Sequence, residues 1–130
     1  MIEEGKPLFV QIAERIEDSI VDGSLPERDQ APSTNELAAF YRINPATAAK
    51  GVAMLVDKSV LEKRRGIGMF VSDGARELLL RERRDAFADR YITPLIDEAR
   101  RIGLSPTDLA ALVREHGSTP QASPDTGRQS

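Results

Sequence analysis

The chain has no cysteine, no tryptophan and a single histidine, His116. Without thiols, disulfides and thiolate metal sites are excluded, and one imidazole cannot build a histidine-rich site within one chain. No metal and no cofactor are expected. Long apolar runs are missing as well. No window approaches the roughly 18 residues a membrane span needs, and the start, M-I-E-E-G-K-P, is acidic with no apolar signal segment behind it. The expectation is a cytoplasmic protein with no membrane contact. An excess of positive charge is also absent: the net charge is -3, and residues 1–75 carry 9 basic against 12 acidic side chains. That balance argues against nucleic acid, but binding depends on the local field of one face. The one dense cationic cluster is Lys63-Arg64-Arg65.

What is present suffices for one modest core and an appendage: 130 residues, 40% of them hydrophobic. Leu8, Ile12, Ile16 and Ile20 stand four apart, one stripe of a helix over residues 7–22, with Pro7 at its first position and Gly23 as its stop. After the polar connector S-L-P-E-R-D-Q-A-P, S-T-N-E opens a second helix as a capping box between Ser33 and Glu36. Leu37, Ala38, Phe40 and Tyr41 form its apolar side.

The break Arg42-Ile43 leads to N-P-A-T-A-A-K-G-V-A-M-L. Asn44 is a favoured N-cap, and Pro45 falls at the first helical position, where no N–H is needed. Ala46, Ala49, Val52, Ala53 and Val56 are expected to face inward, while Ala46, Thr47 and Lys50 leave the front of the helix slim and polar. The period then changes: V-L-E-K-R-R and M-F-V-S flank G-I-G, predicting a hairpin with a basic rim. Residues 75–102 return to helical spacing around a broad apolar band that includes Leu78, Leu79, Phe87, Tyr91, Leu95 and Ile96, which Pro94 should kink or interrupt. A last helix starts at S-P-T-D, carries Leu109 and Leu112, and closes at His116-Gly117.

Helix, helix, tight turn, helix and basic hairpin make a winged helix-turn-helix, in which the helix after the turn enters the major groove by its N-terminal end. The fold class is α+β, mainly α. Residues 1–74 form the DNA-binding domain, 75–117 a short helical dimerisation and effector region, and 118–130 a disordered tail. Slim side chains at the front of the third helix allow close backbone approach. Asn44 and Thr47 can hydrogen-bond phosphates or base edges, and the helix N-terminus favours anions. Arg64 and Arg65 can reach phosphates or a minor groove from a tip kept small by Gly66 and Gly68.

P-L-F-V-Q-I, G-S-L, P-S-T-N-E-L-A, I-N-P-A-T-A-A-K and R-R-G-I-G-M-F-V, in that order over residues 7–72, resemble the amino-terminal domain of the GntR family of bacterial transcription regulators. The N-P-x-T turn and the short helical carboxyl-terminal region are similar to its YtrA-type branch. The resemblance implies a homodimeric regulator binding a pseudo-palindromic double-stranded operator, commonly a repressor near transporter genes. Asn35, Asn44-Pro45 and Ala49 stand where many relatives carry arginine or serine-arginine. DNA contacts are therefore expected from Ser33, Thr34, Asn35, Asn44, Pro45, Ala46, Thr47 and Lys50, from the wing residues Lys63, Arg64, Arg65, Gly66 and Gly68, and from Arg42 to phosphate.

Blander roles exist for each signal: Asn44-Pro45 as only a helix start, Lys50 as a solvated lysine, Lys63-Arg64-Arg65 as a charge run. A small-molecule effector would be expected between the long helix and the DNA-binding domain, or at a dimer interface, lined by Phe87, Tyr91 and Leu95. Dimerisation is expected of Leu78, Leu79, Ile96, Leu109 and Leu112 as well. A winged-helix module that docks protein instead of DNA also fits the acidic charge, and would tolerate neutralised Arg64 and Arg65. Catalysis is not expected, because no nucleophile–base pair, phosphate-cradling glycine loop or distinctive carboxylate cluster is present.

Overall fold

In the computed structural model, which describes residues 5–118, six helices and a two-stranded antiparallel sheet follow one another as α1 (Leu8–Asp22), α2 (Thr34–Tyr41), α3 (Pro45–Asp57), β1 (Leu61–Arg64), β2 (Gly68–Val71), α4 (Ala75–Phe87), α5 (Thr93–Arg101) and α6 (Pro106–Ser118). The chain divides into two compact units between Arg84 and Asp85.

In the first unit, α1 packs on α3 and buries Ile12, Ala13, Ile16 and Ile20 in the shared core. Pro7 is the residue before the helix, not its first member, and Gly23 ends it in the left-handed conformation at φ 91°. The capping box of α2 forms as expected: the Ser33 hydroxyl accepts from the Glu36 N–H at 3.0 Å, and the Ser33 N–H donates to the Glu36 carboxylate at 2.8 Å. Arg42 then ends α2 in the left-handed region, at φ 58° and ψ 50°, and turns the chain toward α3. A side chain with a Cβ costs about 1 kcal/mol there.

One correction concerns which face of α3 is inward. Ala48, Gly51, Val52 and Leu55 are buried, whereas Ala46, Ala49 and Ala53 are exposed and Val56 is half-buried. All the alanines suit burial by size, so periodicity could not separate the two faces. What selects the inner face is Gly51, whose added Cβ would lie 2.8 Å from the Phe9 carbonyl oxygen and 3.5 Å from the Ile12 Cβ. The α1–α3 crossing is therefore close enough to require glycine.

The hairpin pairs Leu61 with Val71 and Arg64 with Gly68, and both Leu61 and Val71 sit fully in the core. The connector adds a third rung that the sequence pattern did not signal. The Arg28 N–H donates to the Val71 carbonyl, the Val71 N–H to that of Asp29, and the Ala31 N–H to that of Met69, all at 2.8–2.9 Å. Gln30 thereby bridges to Phe70. From α4, Ala75 and Leu79 complete the same core. Leu79, expected on a dimerisation surface, is thus a core residue, and Leu78 packs partly against that core.

In the second unit, a five-residue π-helical turn, Ala88–Ile92, stands immediately before α5, where Pro94 opens the helix. Proline lacks the N–H that would reach back one turn, and its ring clashes with the carbonyl there, so widening the turn admits it. Helix α6 opens with the reciprocal Ser105–Asp108 cap and runs through Gly117 to Ser118, one residue past the predicted stop. The predicted tail otherwise lies outside the described residues. Among those of this unit, Ala99 alone is buried.

Candidate nucleic-acid interface

Burial of Ala48, Gly51, Val52 and Leu55 turns Ala46, Ala49, Lys50 and Ala53 outward on α3, a face of three methyl groups and one ammonium. At its front, the Asn44 side-chain oxygen Oδ1 accepts from the Ala46 N–H at 2.8 Å. The carboxamide is thereby fixed, and its two N–H donors are left for an incoming acceptor. Pro45 is exposed and Thr47 half-buried beside it. The helix thus presents small side chains, an oriented amide and its own N-terminal dipole, which together favour a phosphate or a base edge over a bulky ligand.

Lys50 does not hang free: its ammonium lies 4.3 Å from the Phe9 ring centroid. This cation–π contact shortens the reach of the side chain but keeps it ordered. Arg42 is exposed at the turn. In α2, the Ser33 oxygen is engaged in capping, Thr34 is half-buried and Asn35 is exposed. Replacing Arg42 by glycine is expected to have opposite effects on two observables. Thermal stability should rise by a few degrees because the left-handed cost disappears, while the salt slope of DNA binding should fall by about one, the change that the loss of one phosphate contact produces. Melting curves and binding isotherms on the same sample check both.

In the wing, three adjacent cations have different surroundings. Arg64 is committed within the chain: Nη2 is 3.1 Å from the Glu62 carboxylate, and the guanidinium lies 4.0 Å from the Phe70 ring centroid. Glu62 and Phe70 face each other in the register, so the strand geometry builds this cradle. Among the described residues, Lys63 and Arg65 are exposed and have no carboxylate partner. The tip between the strands is bent by Gly66, at φ 77°, and Gly68, at φ 141°. Gln30 braces it, donating from Nε2 to the Ile67 carbonyl at 3.0 Å. A Cβ on residue 68 would fall 2.6 Å from that nitrogen, so glycine there makes room for the brace. Gln30, Glu62, Phe70 and Phe9 are the supporting residues that sequence reasoning missed. Only the polar connector hinted at Gln30, because one bridging residue has no periodicity.

Of the residues expected around an effector, Leu95 lines a groove in the second unit. A cleft of about 780 Å³ in the first unit is lined by α1, the connector and α2, including Arg15, Gln30, Phe40 and Tyr41. A groove of about 370 Å³ in the second unit is lined by Leu95, Ala99, Ile102, Leu109 and Leu112 among others. Phe87 and Tyr91 line neither; their rings contact each other at 5.3 Å. No helix among the described residues is long and apolar enough to cross a membrane.

Residues 8–71 match the family model "Bacterial regulatory proteins, gntR family". The HTH-type transcriptional repressor YtrA of Bacillus subtilis (strain 168) is 27% identical over 109 residues, covering 84% of this chain and 83% of that protein. A transcriptional regulator from Oenococcus oeni has the same fold, with a TM-score of 0.74 at 24% identity over 91% of this chain and 97% of that one. The DNA-binding domain of AraR in complex with operator ORR3 superposes at a TM-score of 0.51 with 28% identity, covering 55% of this chain and 87% of that chain. The match over the winged helix-turn-helix, together with likeness to YtrA through the helices that follow, means that this chain belongs to the GntR family of bacterial transcription regulators and is of its YtrA type.

Proposed function

We propose that this chain is a homodimeric repressor of a pseudo-palindromic operator, acting on its own operon and on transporter genes. The observation that carries the DNA contact is the alignment of small residues and an oriented Asn44 amide on the outward front of α3, flanked by the unpaired wing cations Lys63 and Arg65. In support, the DNA-binding domain of AraR, which has a similar fold, is bound to an operator, and YtrA is a repressor. Ser33, Thr34, Asn35 and Arg42 supply phosphate contacts that set register, and Asn44, Thr47 and Lys50 carry sequence preference.

Dimerisation is supported by the second unit, where Phe87, Tyr91, Leu95, Ile96, Ile102, Leu112 and Val113 are all exposed by a third or more. Two helices with one buried alanine between them do not make a stable core, so a second copy is the natural cover. Sedimentation at micromolar concentration should give a dimer; a monomer would remove both dimer and palindrome. An effector, where one acts, would take the apolar groove lined by Leu95, Leu109 and Leu112.

Fluorescence anisotropy on the DNA upstream of its own gene, against shuffled DNA across a salt series, tests the DNA reading. The native fragment should bind preferentially. Lys63→Ala/Arg65→Ala should lower the salt slope by about two, whereas Arg64→Ala should lower it less, because Glu62 already neutralises that cation. Equal, negligible binding to both DNAs would overturn the autoregulation and favour a protein-docking module.

A further inference from the structure

Helix α4 leaves the DNA-binding unit along a direction that is held at several points. At its start, Arg76 donates from its backbone N–H to the Glu27 carboxylate at 3.1 Å and from Nε to the Val21 carbonyl at 2.9 Å. In the middle, Leu79 is fully buried. One turn later, Glu82 Oε1 accepts from the Lys58 ammonium at 2.9 Å, and Arg83 Nη2 donates to Asp18 Oδ1 at 2.6 Å. Lys58 is the C-cap of α3, and its ammonium also donates to Glu17 of α1 at 2.6 Å. Residues 76 and 83 are about 10 Å apart along the helix. A helix pinned at one place can pivot; pinned at both ends of such a span, it cannot.

We propose that Glu82 and Arg83 are positioning residues for operator spacing: by clamping α4 to Lys58 at the end of the recognition helix and to Asp18 of α1, they fix how far apart a dimer sets its two recognition helices. The inference rests on the dimeric reading of the protein. Buried Leu79 supplies the adhesion of α4, but apolar contact has little directional preference. The paired charges supply direction. Asp18, Glu82 and Arg83 all have half-exposed side chains, so each pair contributes little to folding, and their loss is readable in binding geometry instead of collapse. Moving a half-site by one base pair also rotates it by about 34°, so small freedom in α4 is enough to blur the choice.

The test uses the full chain and DNA duplexes in which the two half-sites, found by footprinting, are separated by lengths differing by single base pairs. Wild type should prefer one spacing. Glu82→Gln/Arg83→Ala should flatten that preference by roughly threefold to fivefold while binding an isolated half-site as wild type does, and the swap Asp18→Arg/Arg83→Asp should restore much of it relative to Arg83→Asp alone. An unchanged preference in Glu82→Gln/Arg83→Ala, or a parallel loss at every spacing and at the isolated half-site, would overturn the clamp and leave the dimeric regulator standing. Wild-type binding without any preferred spacing would overturn the dimeric-operator reading, and the clamp with it.

Discussion

Gly51→Val is expected to be among the most destabilising single changes in the DNA-binding unit, on the order of 3 kcal/mol. The reason is the approach of α3 to α1. Even the first added carbon would stand 2.8 Å from a backbone carbonyl oxygen, that of Phe9, which cannot rotate away as a side chain would. A second neighbour, the Ile12 Cβ, is at 3.5 Å, so relief requires the helices to part. Parting them uncovers Ile12, Ala13 and Val52, each nearly inaccessible now. Glycine inside a helix is itself unfavourable by about 1 kcal/mol relative to alanine, so Gly51→Ala should recover part of its steric cost through propensity and lose about 1–2 kcal/mol net. Urea denaturation resolves the two variants. Valine below alanine below wild type is expected, and an alanine variant more stable than wild type would show that the crossing relaxes freely. DNA affinity in the folded fraction should fall as well, because the displaced element is the recognition helix.

Lys58→Met is expected to lose about 2–3 kcal/mol. Glu17 is a charged side chain only 9% exposed, and the Lys58 ammonium 2.6 Å away is its compensating partner. Removing that partner leaves a carboxylate in a poorly solvated place, whereas Glu17→Leu/Lys58→Met, which removes both charges, should be near wild type in stability. The contrast separates a penalty of isolation from a net benefit of the pair. A pH dependence follows from the same contact. Burial works against the ammonium, but the hydrogen bonds it donates to Glu17 and then Glu82 outweigh it and hold the Lys58 pKa above its ordinary value of 10.5. A raised folded pKa means that the contribution is complete below 10.5 and is lost as pH rises through the higher, folded value. Wild type should therefore keep this contribution across neutral pH and lose it only under strongly alkaline conditions. Thermal melts through that range should show the loss in wild type and not in Lys58→Met. A double variant as unstable as the single one would sink the account.

The division between what was legible in the chain and what was not follows the range of the interactions involved. Caps, proline positions and strand pairing are local. Ser33 with Glu36, Asn44 with Pro45, and Ser105 with Asp108 each act within one helical turn, so the helix starts could be read directly. Hairpin register follows from the two strands and the glycines between them. The inward face of α3 was misread because alanine carries no preference strong enough to orient a helix, and the deciding contact, Gly51 against Phe9, joins residues 42 positions apart in sequence. Similarly, nothing next to Arg64 in a linear reading announces that Phe70 will lie beneath it, nor does Gln30 announce its reach to Ile67. Leu79 shared its spacing with the apolar band that follows, and only packing assigned it to the core of the first unit.

By itself, then, the sequence determined that there would be a winged helix-turn-helix with a small, capped recognition helix, a basic wing and further helices, because short-range backbone satisfaction and hydrophobic period suffice for those elements. Tertiary structure alone decided which side of the recognition helix faces outward, which wing cations remain unpaired, and how α4 is fastened to α1 and α3. Those outcomes depend on groups far apart in the chain whose distances are set only when the core closes.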